Sequence, residues 1–182
     1  MGISTKFTHA DLLAIPDDGK RREIVDGEMI VSPSPKFRHQ FVSIRIAAAL
    51  LRYLAEHPLG LLLLAPLDVI FGEVDVLEPD LIFVLNEHRS ILQDWVRGAP
   101  DLVIEILSPT TAANDRGPKL KAYARFGVPE YWIADPDAKT IEVYRLSRQT
   151  YQLAQVFGEY DALTSTLLPG FTLSVADVFH SE

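Results

Sequence analysis

The chain has 182 residues, close to one ordinary domain and enough to enclose a real core. Its 48% hydrophobic and 23% charged residues are the composition of a soluble globular protein. There is no cysteine, which excludes disulfides, thiolate nucleophiles and thiolate metal sites, and a net charge of -8 argues against general attraction to nucleic acid.

In chain order, "THADLLAI" reads as a short helix capped by Thr8. The early acids and the lack of a long apolar core in this segment argue against a signal peptide, so a cytoplasmic location is expected. "RREIVDGEMIVSP" reads as two strands about an Asp26-Gly27 turn, a strong hairpin signal. From Lys36 to about His57 a long helix is expected, with Phe41, Ile44, Ile46, Leu50 and Tyr53 on its buried face. Pro58 and Gly60 stop it. The apolar run "LGLLLLAPL" that follows is far shorter than the roughly 20 residues of a membrane span.

Strands are expected at 61–71, 79–85 and 101–107, with a short helix or insertion in "EHRSILQDWVRGA". "NDRGPKLKAYARFG" reads as a helix ending at Gly127, and "PEYWIADP" as a strand closed by an Asp-Pro turn. "TIEVYRL" and "TYQLAQVF" form a second hairpin, and "LLPGFTLSVADVF" a final turn and helix. No repeat or Pro/Gly linker divides the chain, so residues 1–182 are read as one domain. This order predicts an α/β or α+β domain with a mixed central sheet flanked by helices and with added N-terminal and C-terminal hairpins. Strand 101–107, helix 114–127 and strand 130–135 suit a crossover unit with two central strands.

The chemistry starts from "PDLVIEILSPT", where Glu105 sits inside an otherwise apolar strand. Alternation puts Asp101, Val103, Glu105 and Leu107 on one side. An ionised carboxylate in low dielectric costs several kcal/mol unless it is paired or metal-bound. Glu105 therefore reaches a sheet end, pairs with an arginine, or serves a site. Asp80 in "EPDLIF" opens a second apolar strand. If the two strands are neighbours, both acids meet at one sheet edge, where carboxylates about 4 Å apart repel by roughly 4 kcal/mol at an effective dielectric near 20. Such a pair wants a shared proton or a cation, and oxygen ligands suit Mg²⁺ or Mn²⁺. Asp101 is the rival partner, but its place roughly 13 Å from Glu105 along the strand disfavours joint coordination.

Lys119 and Lys121 follow on the next helix. With Leu120, Tyr123, Ala124, Phe126 and Gly127 as the inner face, Lys119 falls roughly 70° from its centre and Lys121 roughly 130°, so Lys119 is the one able to reach inward. Lys36, Arg38, Arg45 and Arg52, and then Arg116, Lys119, Lys121 and Arg125, form two basic strips, each also readable as a solvated helix face. No Gly-rich phosphate loop, nucleophile elbow or zinc spacing of the five histidines appears. Tyr131 and Trp132 read as core residues.

The order of Asp80, Glu105 and a lysine resembles the PD-(D/E)XK nuclease superfamily, whose acids bind a divalent metal beside a lysine. More narrowly, "EIVDGEMIVSPSPKFRHQ", "EPDLIFV", "APDLVIEILSPTTAANDRGPKLKAYARFGVPEYWIADP" and "LLPGFTLSVADVF" resemble the Uma-two family of restriction endonucleases over nearly the whole chain. The central segment is the specific part, because Glu105, Ser-Pro, Asp115, Lys119, Tyr123, "GVPEYW" and "DP" occur together in order.

The resemblance implies a restriction-endonuclease-like fold and a Mg-dependent endonuclease. Asp80, Glu105 and the backbone carbonyl of Ile106 would hold Mg²⁺ or Mn²⁺, and Lys119 would stabilise charge or orient water. The superfamily usually places its lysine two residues after the second acid, where this chain has Leu107; the family resembles members that supply it from the next helix, and Lys119 matches. His39 becomes a candidate for touching phosphate or an acid, although a lone histidine beside Arg38 also reads as a surface or capping residue. Glu23 and Glu28 match family acids too, one of which could complete the metal shell, though both also read as surface strand acids. The implied partners are nucleic acid, with DNA foremost, a divalent metal and a second copy of the chain in a homodimer, with no membrane. A non-catalytic nucleic-acid or protein-binding module that keeps the fold is the alternative, favoured by the acidic charge. Hydrolysis of a smaller phosphoester is a third.

Overall fold

The structure, a computed structural model, describes residues 6–180. Its first half runs α1 (His9–Ala14), β1 (Arg21–Val25), β2 (Glu28–Ser32), α2 (Phe37–Glu56), β3 (Gly60–Leu64), β4 (Val69–Gly72), β5 (Asp75–Leu77) and β6 (Leu81–Leu85). A 3-10 turn (Asn86–Ile91) leads to β7 (Val96–Arg97) and β8 (Leu102–Ile106). The next helix comes in three pieces: α3 (Ala112–Asn114), a π-turn (Asp115–Lys119) and α4 (Leu120–Phe126). Then follow β9 (Glu130–Asp135), β10 (Thr140–Ser147), β11 (Thr150–Phe157), β12 (Ala162–Thr164), β13 (Thr172–Ser174) and α5 (Val175–Phe179).

β8 is buried at every position because both of its faces are covered. Leu102, Ile104 and Ile106 pack with Val42, Ile46 and Leu50 of α2 and with Val175 and Val178 of α5. Val103 and Leu107, on the other face, pack with Tyr123, Tyr131 and Ile133. β8 and β9 pair in parallel, Leu102 opposite Glu130 and Ile106 opposite Ala134, with the three-piece helix as their crossover. Around them the central sheet has the order β11-β10-β9-β8-β6-β3, a mixed sheet in which the β8-β9 pair is the parallel one. The C-terminal hairpin β10-β11 is one edge of this sheet. Tyr131 and Trp132 are fully buried, as expected of core residues.

The N-terminal hairpin turns at Asp26 and Gly27, both with positive φ (55° and 82°), the backbone that an Asp-Gly pair accommodates best. It is more than an appendage. β1 and β2 belong to a second sheet of order β2-β1-β5-β4-β7, whose Val25, Val69, Leu77 and Val96 pack on the α4 side of the core. Three expectations change accordingly. Segment 61–71 is two strands, β3 and β4, in different sheets, since Pro66 cannot donate to a ladder and breaks the run. "EHRSILQDWVRGA" holds the 3-10 turn and β7 in place of a helix. The buried face of α2 is Val42, Ser43, Ile46, Ala47 and Leu50, whereas Ile44 is 61% exposed. The i, i+4 row through Ile46 lies against the sheet, and Ile44 projects from the far side of that row.

Among the described residues no helix is long and apolar enough to cross a membrane.

Candidate active site

The ladder between β6 and β8 positions the two central acids. Leu81 lies opposite Ile104, and continuing that antiparallel register by one residue brings Asp80 opposite Glu105. Asp80 Oδ2 accepts the Ile106 N–H at 2.7 Å, so a side chain takes over where the backbone ladder stops. The N–H and C=O of one strand residue point to the same side, so the Ile106 carbonyl also faces Asp80. The next N–H, from Leu107, donates the other way, to Ala134 O at 2.9 Å. Asp101 sits at the opposite end of β8, accepting Leu85 N–H at 2.8 Å and lying 2.7 Å from His88 Nδ1. It takes no part in the Asp80–Glu105 pair.

Lys119 enters from the helix. Its Nζ is 2.6 Å from Glu105 Oε1, 3.0 Å from Glu23 Oε1 and 3.2 Å from Asp115 Oδ1, and the residue is only 2% exposed. Pro118 lies inside the π-turn; lacking an N–H, it cannot make the regular i→i-4 bond, and the widened turn accommodates it. That turn aims both Asp115 and Lys119 inward, while Lys121 is exposed. Tyr123, on the inner face of α4, donates its hydroxyl to Glu105 Oε1 at 2.7 Å.

β1 contributes Glu23 and Arg21 from the second sheet. Glu23 is buried (3% exposed), not a surface strand acid, because its face of β1 packs against the helix side of the core, where it meets Lys119; its Oε1 also accepts Glu78 N–H at 2.9 Å. Arg21 Nη1 donates to Asp80 Oδ1 at 3.0 Å, its Nε lies 3.3 Å from Glu78 Oε1, and its Nη2 lies 3.8 Å from both Glu23 Oε1 and Glu105 Oε2. His39, in the first turn of α2, brings Nε2 to 3.1 Å from Asp80 Oδ2. Glu28 stays apart, exposed at the start of β2 opposite Val25.

So seven of the residues picked from the sequence converge: Asp80, Glu105, Lys119, Glu23, Asp115, Tyr123 and His39, with the Ile106 backbone beside them. Arg21 and Glu78 were not foreseen. The alternation of β1 puts Arg21 on the Glu23 side, which was the available signal, but nothing in sequence says what that side meets.

Electrostatically the site carries more acid than base: Glu23, Glu78, Asp80, Glu105 and Asp115 against Arg21 and Lys119. Burial pushes the Glu105 carboxyl up to about 8, with Asp115 and Asp80 adding to the rise against the opposing pull of Lys119 and Arg21. Burial also raises Asp115 and Glu78. At Asp80 burial pulls upward too, but the His39 hydrogen bond, the Arg21 guanidinium and the Ile106 N–H outweigh it and hold the group at about 2. Burial opposes the charge on Lys119, yet Glu105, Glu23 and Asp115 more than compensate and raise it, so the amine stays protonated. Asp80 is thus the firm anion, and Glu105 is the acid whose charge is least well supported.

The donor set fits a hard divalent ion. Two carboxylates and a backbone carbonyl are oxygen ligands, and Mg²⁺ is commonly held by one or two carboxylates with water completing the shell. Among the described residues no three histidine or acidic side chains converge into a ready cage, since Arg21 and Lys119 each draw carboxylate oxygens towards themselves. A cavity of about 300 Å³ adjoins the cluster, lined by Arg21 and His39, by Pro33, Pro35, Pro109 and Pro136, and by exposed Lys36 and Thr110.

Comparisons with known proteins give the family and the fold. The sequence profile of Uma2, described as "Putative restriction endonuclease", matches residues 9–176. The fold is similar to that of a crystal structure described as a "putative nuclease belonging to DUF820" from Anabaena variabilis ATCC 29413, with a TM-score of 0.79 and 24% identity over 95% of this chain and 97% of that one. No curated protein matches the sequence.

Proposed function

The chain belongs to the Uma2 family, and from that premise we propose that it is a metal-dependent endonuclease hydrolysing phosphodiester bonds of nucleic acid, with DNA as its substrate. The observation that carries this reading is Asp80 opposite Glu105 at the end of the β6–β8 ladder, with Lys119 Nζ at 2.6 Å from Glu105.

Asp80, Glu105 and the Ile106 carbonyl would hold Mg²⁺ or Mn²⁺. Such an ion supplies Lewis-acid polarisation of the phosphodiester and acidifies a water molecule. Lys119 keeps its proton in this setting, so it serves as a fixed positive charge for the developing oxyanion, or a hydrogen-bond donor that orients the attacking water, and not as a base. Tyr123 and Glu23 hold Glu105 and Lys119 in position, and Asp115 braces Lys119 from the preceding turn. His39 fixes the second oxygen of Asp80. Lys36 and the hydroxyls of Ser108, Thr110 and Thr111 along the cavity suit a phosphate backbone, a local cationic approach on an acidic protein.

The test is a nuclease assay on single- and double-stranded DNA and RNA with Mg²⁺ and Mn²⁺, run beside Glu105→Ala. Cleavage by the wild type and its loss in the variant are expected. Nucleic-acid binding without cleavage in either ion, with no Mg²⁺ or Mn²⁺ bound, would instead establish a non-catalytic binding module that keeps the fold.

A further inference from the structure

Arg21 stands where the proposed metal ion would stand. Its Nη1 donates to Asp80 Oδ1 at 3.0 Å, and its Nη2 lies 3.8 Å from Glu105 Oε2, so the guanidinium spans the two acids. Glu78, 3.3 Å from Nε, and Glu23, 3.8 Å from Nη2, close around it. A monovalent cation already fills the gap between the carboxylates.

Its hold is electrostatic more than directional. Nε and Nη2 are buried without a hydrogen-bond partner, although a guanidinium has five N–H donors and a fork geometry suited to carboxylates. Arg22, the next residue, shows the contrast: it grips Asp18 with two bonds of 2.7 Å each. Buried donors left without well-directed acceptors are costly, so the present arrangement of Arg21 is one that better-placed partners can displace.

There is also somewhere for it to go. The Arg21 side chain remains 20% exposed and lines the cavity of about 300 Å³. The acid that lines that cavity, Asp137, is held by Arg38 at 2.7 Å. A guanidinium turned into the cavity would meet Ser108, Thr110 and whatever phosphate binds there.

Resting on the nuclease reading above, we propose that Arg21 is a cation placeholder that exchanges partners. It neutralises Asp80 and Glu105 until a divalent ion binds, yields that place, and turns into the cavity to hold the phosphodiester of the substrate. The divalent ion wins the exchange because it carries twice the charge and leaves no unpaired donors behind. Arg21 in turn replaces loose contacts with charge-assisted bonds to phosphate.

The experiment is a Mn²⁺ titration by calorimetry and electron paramagnetic resonance on the wild type, Arg21→Gln and Glu105→Gln. It is paired with binding of a phosphorothioate oligonucleotide, which resists cleavage, at saturating Mn²⁺. Arg21→Gln is expected to bind Mn²⁺ at least about tenfold more tightly, the factor by which a competing state populated nine times in ten weakens apparent affinity. The same variant should bind the oligonucleotide at least about tenfold more weakly. Opposite signs on the two ligands are the signature, since mere loss of structure tightens neither. If Arg21→Gln binds Mn²⁺ no more tightly than a wild type that does bind it, and Glu105→Gln does not, the placeholder is overturned and the nuclease reading stands. No Mn²⁺ binding by either the wild type or Arg21→Gln sinks both. Should Arg21→Gln fail to fold, the Arg21 Nε–H resonance of ¹⁵N-labelled wild type under Mg²⁺ titration decides: a shift that saturates with the ion supports the exchange, and an unmoved resonance overturns it.

Discussion

Two buried glutamates on adjacent strands, Glu105 at the end of β8 and Glu130 at the start of β9, are each 2% exposed and yet live in opposite circumstances. Glu130 accepts from Trp132 Nε1 and Ser165 Oγ at 2.7 Å each and from Arg145 Nε at 3.2 Å. One carboxylate meets one cation and two neutral donors, and the account is closed. Glu105 has Lys119, Tyr123 and a distant Arg21, but four further carboxylates crowd the same space. A satisfied buried acid ties strands together; a cluster with acids in excess is kept at a cost in stability, which points to a cation that arrives from outside.

The sharpest way to break this contrast is cleavage itself. Lys119→Met should lower the cleavage rate by about 10²–10³-fold, the usual effect of removing one charge stabiliser, while Mn²⁺ binding persists. Glu130→Gln should leave the rate within a few-fold, and an equal loss there would erase the distinction. In urea unfolding, Lys119→Met should also cost about 3–5 kcal/mol, since it leaves Glu105, Glu23 and Asp115 without their shared cation. Adding Glu23→Gln to Lys119→Met should return part of that loss.

The pH dependence of stability, measured with chelator present, sharpens the comparison further. Glu105 has a folded value of about 8, above its ordinary 4.5, so the folded state binds the extra proton between those values. Its contribution is therefore favourable below pH 4.5 and is lost as pH rises towards 8, a fall of a few kcal/mol that Glu105→Gln should flatten. Asp80, lowered from 3.8 to about 2, has the opposite sign: it stabilises above pH 3.8 and ceases to as pH falls through 2. A wild-type profile with no decline between pH 5 and 8 would show that Glu105 is better compensated than its surroundings suggest.

Smaller effects come next. Glu130→Ala should cost about 1–3 kcal/mol by stranding Trp132 Nε1 and Ser165 Oγ, without altering Mn²⁺ affinity. Lys121→Ala, on the exposed side of α4, should stay within about 0.5 kcal/mol of wild type and cleave normally. Loss of cleavage in Lys121→Ala with Lys119→Met active would reverse the assignment of the two lysines.

Much of this arrangement is legible in the residues. The apolar run around Glu105 reads directly as a two-sided strand, and β8, its helix and β9 form the expected crossover. Helical periodicity distinguishes Lys119 from Lys121 even though the local backbone is a π-turn around Pro118 and not the regular helix that periodicity assumes. Glu23 was harder, because a strand with a polar face looks the same whether that face meets water or another element; its burial comes from the packing of its sheet on the helix that carries Lys119. Arg21 was out of reach for the same reason. No base follows Glu105 within its own strand, where Leu107 stands; the bases beside it come from Arg21, 84 positions earlier, and Lys119, 14 positions later.

The sequence by itself determined the two terminal hairpins, the long helix after Lys36, the strand around Glu105 and its crossover, the end of a helix at Gly127, the Asp26-Gly27 turn and the choice of Asp80 over Asp101, because periodicity, turn chemistry and distance along one strand are local properties. Only the tertiary structure decided that Asp80 meets Glu105, that Glu23 is buried beside Lys119 and Glu28 is not, and that Arg21 lies between the acids. Those outcomes depend on strand register and on which sheet covers which face, quantities set by long-range packing that no single segment encodes.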